Sequence, residues 1–109
     1  MSETLKVLSQ TNPSAATLTD SYTVPALASA VISTLAIANR SGVATAYRVS
    51  VAVAGAANND KQYLAYDVAI AGNAYHTLTL GITLGAADVV RVYATLATLS
   101  FSCFGVERS

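Results

Sequence analysis

The side chains able to do chemistry are few and widely spaced. His76 is the only histidine and Cys103 the only cysteine. Nucleophilic catalysis needs a nucleophile with a base in reach. His76 lies within Tyr75-His76-Thr77-Leu78, mid-strand in character, and no serine occupies a Gly-x-Ser-x-Gly elbow. A histidine facing solvent or an interface is the expectation, and no catalytic residue is assigned. The acidic residues are Glu3, Asp20, Asp60, Asp67, Asp88 and Glu107, in no EF-hand pattern and in no spacing that suggests a glycosidase pair. Asn58-Asn59-Asp60 offers oxygens suited to a surface cation, but reads more simply as a polar loop tip. Neither a metal nor a cofactor is assigned, and the chain is read as a non-enzyme. A single cysteine excludes an internal disulfide, and Cys103 reads as packing.

The enriched side chain is tyrosine: Tyr22, Tyr47, Tyr63, Tyr66, Tyr75 and Tyr93. Phenol rings favour sheets and interfaces, and they also stack on sugars. Tyr63 and Tyr66 have opposite parity along one strand, so strict alternation forbids them a shared flat platform. That weakens the reading of a carbohydrate-binding module, which stays open as one form of a host-attachment alternative. Arg48 and Arg91 stand alone on apolar strands. Arg48 falls on the outward parity, fit for a subunit contact or for simple solvation. Asn39-Arg40-Ser41 matches a glycosylation sequon, but no secretory signal is visible at Met1-Ser2-Glu3-Thr4 and the match carries no meaning on that reading.

The elements that must carry these residues are strands. The organising stretch runs from Tyr22-Thr23-Val24-Pro25 into Ala30–Asn39. Pro25 has no N–H to donate, so a ladder must end or switch there. Beyond it, strict alternation puts Val31, Ser33, Leu35 and Ile37 on one face and Ile32, Thr34, Ala36 and Ala38 on the other. Both faces are almost uncharged, as in a central strand. Further strands are predicted over Glu3–Gln10, the first of them a candidate edge, and over Thr17–Val24, where Asp20 marks a bulge or an edge. Thr45–Val53 has Tyr47, Val49, Val51 and Val53 on its inner face, and forms a hairpin with the organising strand across Arg40–Ala44. Tyr63–Ile70 places Leu64, Tyr66, Val68 and Ile70 together. Tyr75 to Thr79 or Leu80 follows. Val89–Ala94 and Leu99–Val106 form a closing hairpin with Val90, Val92, Phe101 and Cys103 inside. Phe104 then points the other way, towards a candidate interface. No segment has a helical period. About eight short strands separated by turns imply an all-β fold, a single β-sandwich over residues 1–109. Immunoglobulin-like and jelly-roll topologies both fit.

Composition sharpens the class. Charged residues make up 11% of the chain and the formal net charge is +0, where ordinary soluble domains carry roughly 25% charge. A balanced, charge-poor chain has no electrostatic reason to bind nucleic acid or an anionic membrane. The uncharged stretch Ser21–Asn39 is interrupted by Pro25, serines and threonines, which argues against a membrane span. Small domains have much surface to cover. Uncharged faces that neighbouring copies cover are therefore expected, and Arg48, Tyr63, Tyr66 and Phe104 are the candidate interface residues.

Tyr22-Thr23-Val24-Pro25-Ala26 through Val31-Ile32-Ser33-Thr34-Leu35-Ala36-Ile37-Ala38-Asn39-Arg40-Ser41 resembles small β-sandwich proteins of tailed bacteriophages. The segments Lys61–Asp67 and Leu84–Val90 look similar to the same group, so the resemblance spans nearly the whole chain through weakly specific strand-and-turn motifs. One departure is Ala87, where many of those proteins carry glycine before the aspartate of the last turn. The resemblance implies a virion structural role: a capsid decoration or cement protein, or alternatively a tail or baseplate component in host attachment. It implies assembly in the bacterial cytoplasm, contacts with a major capsid protein or with tail proteins, and a homo-oligomer, with a trimer favoured by analogy.

Overall fold

A computed structural model of the protein describes residues 2–109. Its nine strands are β1 (Glu3–Thr11), β2 (Thr19–Thr23), β3 (Ser29–Asn39), β4 (Thr45–Ala52), β5 (Tyr63–Ile70), β6 (Tyr75–Leu78), β7 (Ile82–Leu84), β8 (Val89–Ala94) and β9 (Leu99–Arg108). Two 3₁₀ turns, Val53–Gly55 and Asp60–Gln62, lie between β4 and β5. Among the described residues, no helix is long and apolar enough to cross a membrane.

The strands form two antiparallel sheets. The first has the order β1-β9-β3-β6, with β7 also paired to β3; the second has the order β2-β8-β4-β5. Strand β6 runs beside Leu35–Ala38 and β7 beside Ala30–Ile32, so the two are halves of one interrupted strand. Gly81, at φ +61°, turns the chain at the break. With those halves taken together, β1 and β2 lie in opposite sheets and the last strand sits between the first and third. That is a jelly-roll arrangement; in an immunoglobulin-like sandwich the first two strands share a sheet.

Two expected hairpins are therefore absent. β3 and β4 lie in different sheets, as do β8 and β9. The Arg40–Ala44 connection crosses between sheets, and Asn39 organises its start from a buried position. The Asn39 side chain donates to the carbonyls of Val43 (2.9 Å) and Ala71 (3.2 Å) and accepts from the Ser41 N–H (3.1 Å). A short polar connection is compatible with a hairpin or a crossover, and here the buried asparagine supports the crossover.

The core lies between the sheets. Ile32, Leu35, Ile37, Tyr47, Val49, Val90, Val92, Phe101 and Cys103 are all buried there. Burial raises the pKa of the Cys103 thiol and keeps it a neutral packing group. Pro25 ends β2 as predicted, and Val24 is held to the Gly85–Asp88 turn before β8 by Val24 N–H to Asp88 O and Ala87 N–H to Val24 O, both 3.0 Å. Ala87 takes the left-handed φ of +66° that suits glycine, so the turn is kept without one. The Asp88 carboxylate fastens it, accepting from Gly85 N–H (2.8 Å) and Ala54 N–H (2.9 Å).

Strict alternation fails at bulges. Ile32 opposes Gly105 and Thr34 opposes Phe104, leaving Ser33 as an extra residue. Ala30 and Ile32 point inward before it, and Leu35 and Ile37 after it, while Val31 and Ser33 face out. A one-residue insertion reverses the parity of everything downstream. Gly105 makes this bulge possible, since a Cβ there would stand 2.0 Å from the Val31 carbonyl oxygen. A bulge also sets Leu8 between Val7 and Ser9 on β1, and another follows Asp20 on β2, an edge strand. Val53, placed on the inner face by alternation, lies beyond the end of β4 and is exposed.

Candidate functional site

The outer face of the second sheet gathers most of the candidate residues. Arg48 on β4 stands directly across from Tyr93 on β8. On its other side, Tyr47 pairs with Val68 and Val49 with Ala65, so Tyr66 and Asp67 together oppose Arg48. This is a bulge, with Asp67 at φ +51°. A second irregularity follows at Leu64, because Val49 pairs with Ala65 but Ser50 with Tyr63. The two irregularities flank the inward-facing Ala65. They bring Tyr63 and Tyr66 to the same outer face and leave Val68 and Ile70 facing in.

The expected opposite parity of Tyr63 and Tyr66 is therefore wrong. Their rings meet at 4.9 Å between centroids with planes 84° apart. The expected common face of Leu64, Tyr66, Val68 and Ile70 is split for the same reason.

The rest of the row is a stack across three strands. The Arg48 guanidinium carbon lies 4.2 Å from the Tyr66 ring centroid and 4.4 Å from that of Tyr93. Arg48 also holds Asp67 through two hydrogen bonds, Nε to Oδ1 at 2.6 Å and Nη2 to Oδ2 at 3.3 Å. The hydrogen bond to Asp67 drives the guanidinium pKa further above its ordinary value, so the stack carries a fixed positive charge. Each guanidinium–ring contact contributes roughly 0.5–1 kcal/mol at an exposed site. The ion pair, with Asp67 well exposed, adds little more.

A wall beside Tyr63 comes from the Val53–Gln62 connection. Arg91 ties it to the sheet by donating to the carbonyls of Ala56 (2.8 Å) and Gly55 (3.3 Å), and Arg91 pairs with Asp20 at 3.0 Å. Asn59 caps the second 3₁₀ turn, and the Gln62 side chain returns a bond to the Asn59 N–H, a capping box. Asp60 is thereby set against Tyr63 and Tyr66, and the three line a shallow cavity of about 310 Å³. The tip is ordered by its own hydrogen bonds: the Asn59 side-chain oxygen accepts from Lys61 N–H at 3.2 Å.

Phe104 lies on the opposite side of the molecule. It stands across from Val7 on β1 and Thr34 on β3, on the outer face of the first sheet. In the next row Leu5, Val106 and Val31 oppose one another. Exposure is 82% for Leu5, 50% for Val7, 41% for Val31 and 37% for Phe104. The charges nearest this face pair within the chain: Glu3 with Arg108, and Lys6 with Glu107 at 3.1 Å.

The chain matches no protein-family model, no curated protein and no solved structure.

His76 differs from its expected role. Its Nδ1 lies 2.9 Å from the Tyr47 hydroxyl, so β6 of one sheet is tied to β4 of the other. Burial raises the Tyr47 pKa, keeping the phenol protonated. His76 is thus a partner for a buried tyrosine rather than a solvent or interface residue. No group of three or more His, Cys, Asp or Glu side chains that could hold a metal ion occurs among the described residues. Tyr93 and Asp60 belong to the aromatic site but are not among the candidate interface residues; from sequence Asp60 reads as part of a polar loop tip. Tyr93 was visible only as one more strand tyrosine; its role depends on standing across from Arg48.

Proposed function

We propose that this chain is a structural protein of a tailed-bacteriophage particle, acting as a capsid decoration or cement protein that stabilises the shell through contacts with sister copies and the major capsid protein. The observation that carries the proposal is the apolar outer face of the first sheet. Leu5, Val7, Val31 and Phe104 lie there in adjacent rows, beside the edge strand β1. Full burial of one such side chain is worth roughly 1.5–3 kcal/mol, so a neighbour covering the group gains several. The charge-poor composition points the same way. The resemblance to phage β-sandwich proteins supplies the particle, and jelly rolls recur in viral capsids, which is support by fold analogy alone. A homotrimer is the assembly that this analogy favours.

A second reading, a tail or baseplate component in host attachment, is favoured by the aromatic row on the other sheet. Add-back to particles that lack the protein separates the two. A decoration protein raises the temperature or salt stress that heads survive, because binding the assembled state stabilises it. A tail component leaves head stability unchanged and alters adsorption to the host. Phe104→Glu with Leu5→Lys should abolish add-back while the isolated domain still folds, its melting temperature lowered only modestly by loss of the buried part of Phe104. A strictly monomeric wild-type protein that binds neither heads nor tails overturns both readings.

A further inference from the structure

The cavity bounded by Tyr63, Tyr66 and Asp60 has a construction that the assembly reading does not use. We infer that it is a binding subsite for one neutral hexopyranose ring. Its walls are two phenol rings set nearly at a right angle, 84° apart at 4.9 Å. Its third side is Asp60, whose carboxylate makes no hydrogen bond or ion pair among the described residues and is free to accept, whereas Asp20, Asp67 and Asp88 are all engaged.

Each part is held before any ligand arrives. Tyr66 is braced by Arg48, itself pinned by Asp67 and Tyr93. Tyr63 and Asp60 are joined by the Tyr63 N–H to Asp60 carbonyl bond that closes the 3₁₀ turn, and the Asn59–Gln62 capping box fixes the start of that turn. Preorganisation of this kind lowers the cost of binding.

The chemistry of the walls selects the ligand. A pyranose has an apolar C–H face that packs on an aromatic ring and a hydroxyl edge that donates to a carboxylate. The cavity, about 310 Å³, is at the small end of ligand sites, which suits one ring rather than an extended chain. The unpaired charge of Asp60 opposes an acidic sugar. An aromatic corner with a carboxylate also suits an alkylammonium ion, but Tyr66 already carries the Arg48 guanidinium 4.2 Å from its centroid. A second cation on that ring would share its quadrupole and be repelled by the first. A neutral ring meets no such penalty.

The test uses the full chain and methyl glycosides of glucose, galactose, mannose and N-acetylglucosamine. The protein has six tyrosines and no tryptophan, so tyrosine fluorescence and amide chemical shifts both report on the site. Saturable binding of at least one glycoside is expected, with a dissociation constant on the order of 1–10 mM and shifts centred on residues 60–66. Tyr66→Ala should weaken it by roughly tenfold or more, with a modestly lower melting temperature as the Arg48 and Tyr63 ring contacts are lost, and Asp60→Ala should weaken it as much with an unchanged melting curve. Tyr75→Ala, an exposed tyrosine on β6 of the other sheet, should bind normally. No shift with any of these glycosides at about 100 mM, well above such constants, overturns the inference. So does tetramethylammonium producing the shifts while the glycosides stay silent. Because the cavity and Phe104 are on opposite sheets, failure here leaves particle assembly untouched, and failure of assembly leaves this site standing.

Discussion

The two outer faces of the sandwich are built from similar strands and differ in almost everything else. The first sheet shows aliphatic side chains and Phe104, with charges paired at its margin. The second shows Tyr93, Arg48, Tyr66 and Tyr63 in a row, with Asp67 and Asp60 beside it. The aliphatic face has no directional groups, so it favours a broad, shape-matched partner that excludes water. The aromatic face holds its groups in place before any partner arrives, as small-ligand recognition requires. Bulges shape both. On β3 a bulge turns Val31 outward, and on β5 two irregularities bring Tyr63 and Tyr66 together.

The largest effect should come from destroying what the faces share. Leu35 is fully buried between the sheets. Leu35→Asp removes roughly 1.5–3 kcal/mol of burial and leaves an unpaired buried charge that costs several more. Against a total stability on the order of 5–15 kcal/mol, the variant should be unfolded or insoluble, and circular dichroism should show lost strand signal. Wild-type melting would place Leu35 outside the core.

Gly105→Ala should damage one face more than the other. The new Cβ would collide with the Val31 carbonyl, and overpacking costs typically about 1–3 kcal/mol. Urea unfolding should show a lower midpoint. In the folded variant, amide shifts should concentrate on β3 and β9 and spare Tyr63, Tyr66 and Arg48. Shifts spread evenly over both sheets would mean that the faces are not independent.

Arg48→Ala tests the aromatic row alone. Loss of two ring contacts and an exposed ion pair should cost about 1–2 kcal/mol. Arg48→Lys should not restore the row, since an ammonium lacks the planar fork that stacks and bonds Asp67 together. Phe104-dependent assembly should be unaffected, which add-back to particles checks.

The smallest effect is one of pH, where the two sheets meet. The Tyr22 hydroxyl donates to Glu107 Oε2 at 2.5 Å, and Lys6 holds the other oxygen. The bond from Tyr22 and then that from Lys6 lower the Glu107 pKa. A lowered folded pKa contributes stability above the unfolded carboxylate value of about 4.3, lost as pH falls through the folded value. Burial and then the Glu107 bond raise the Tyr22 pKa, so its contribution is present below about pH 10 and is lost above it. Tyr22→Phe should flatten the melting-temperature profile at both ends. An unchanged acid limb would mean that Glu107 gains nothing from Tyr22.

The sequence by itself determined the strand class, most strand limits, the corner at Pro25 and the edge character of β1. It also determined the inward set Val90, Val92, Phe101 and Cys103 and the outward turn of Phe104. These follow from local chemistry: period-2 alternation, a missing N–H, and turn residues. Tertiary structure alone decided which strands pair, so Arg40–Ala44 became a crossover and the predicted hairpins vanished. It also decided where the bulges fall. A bulge is set by the partner strand, as Gly105 sets the one at Ser33, and each bulge reverses the faces of all residues beyond it. Tyr63 and Tyr66 look incompatible along a regular strand and become neighbours once β4 pairs with β5, because that pairing leaves Leu64 and Asp67 as the extra residues.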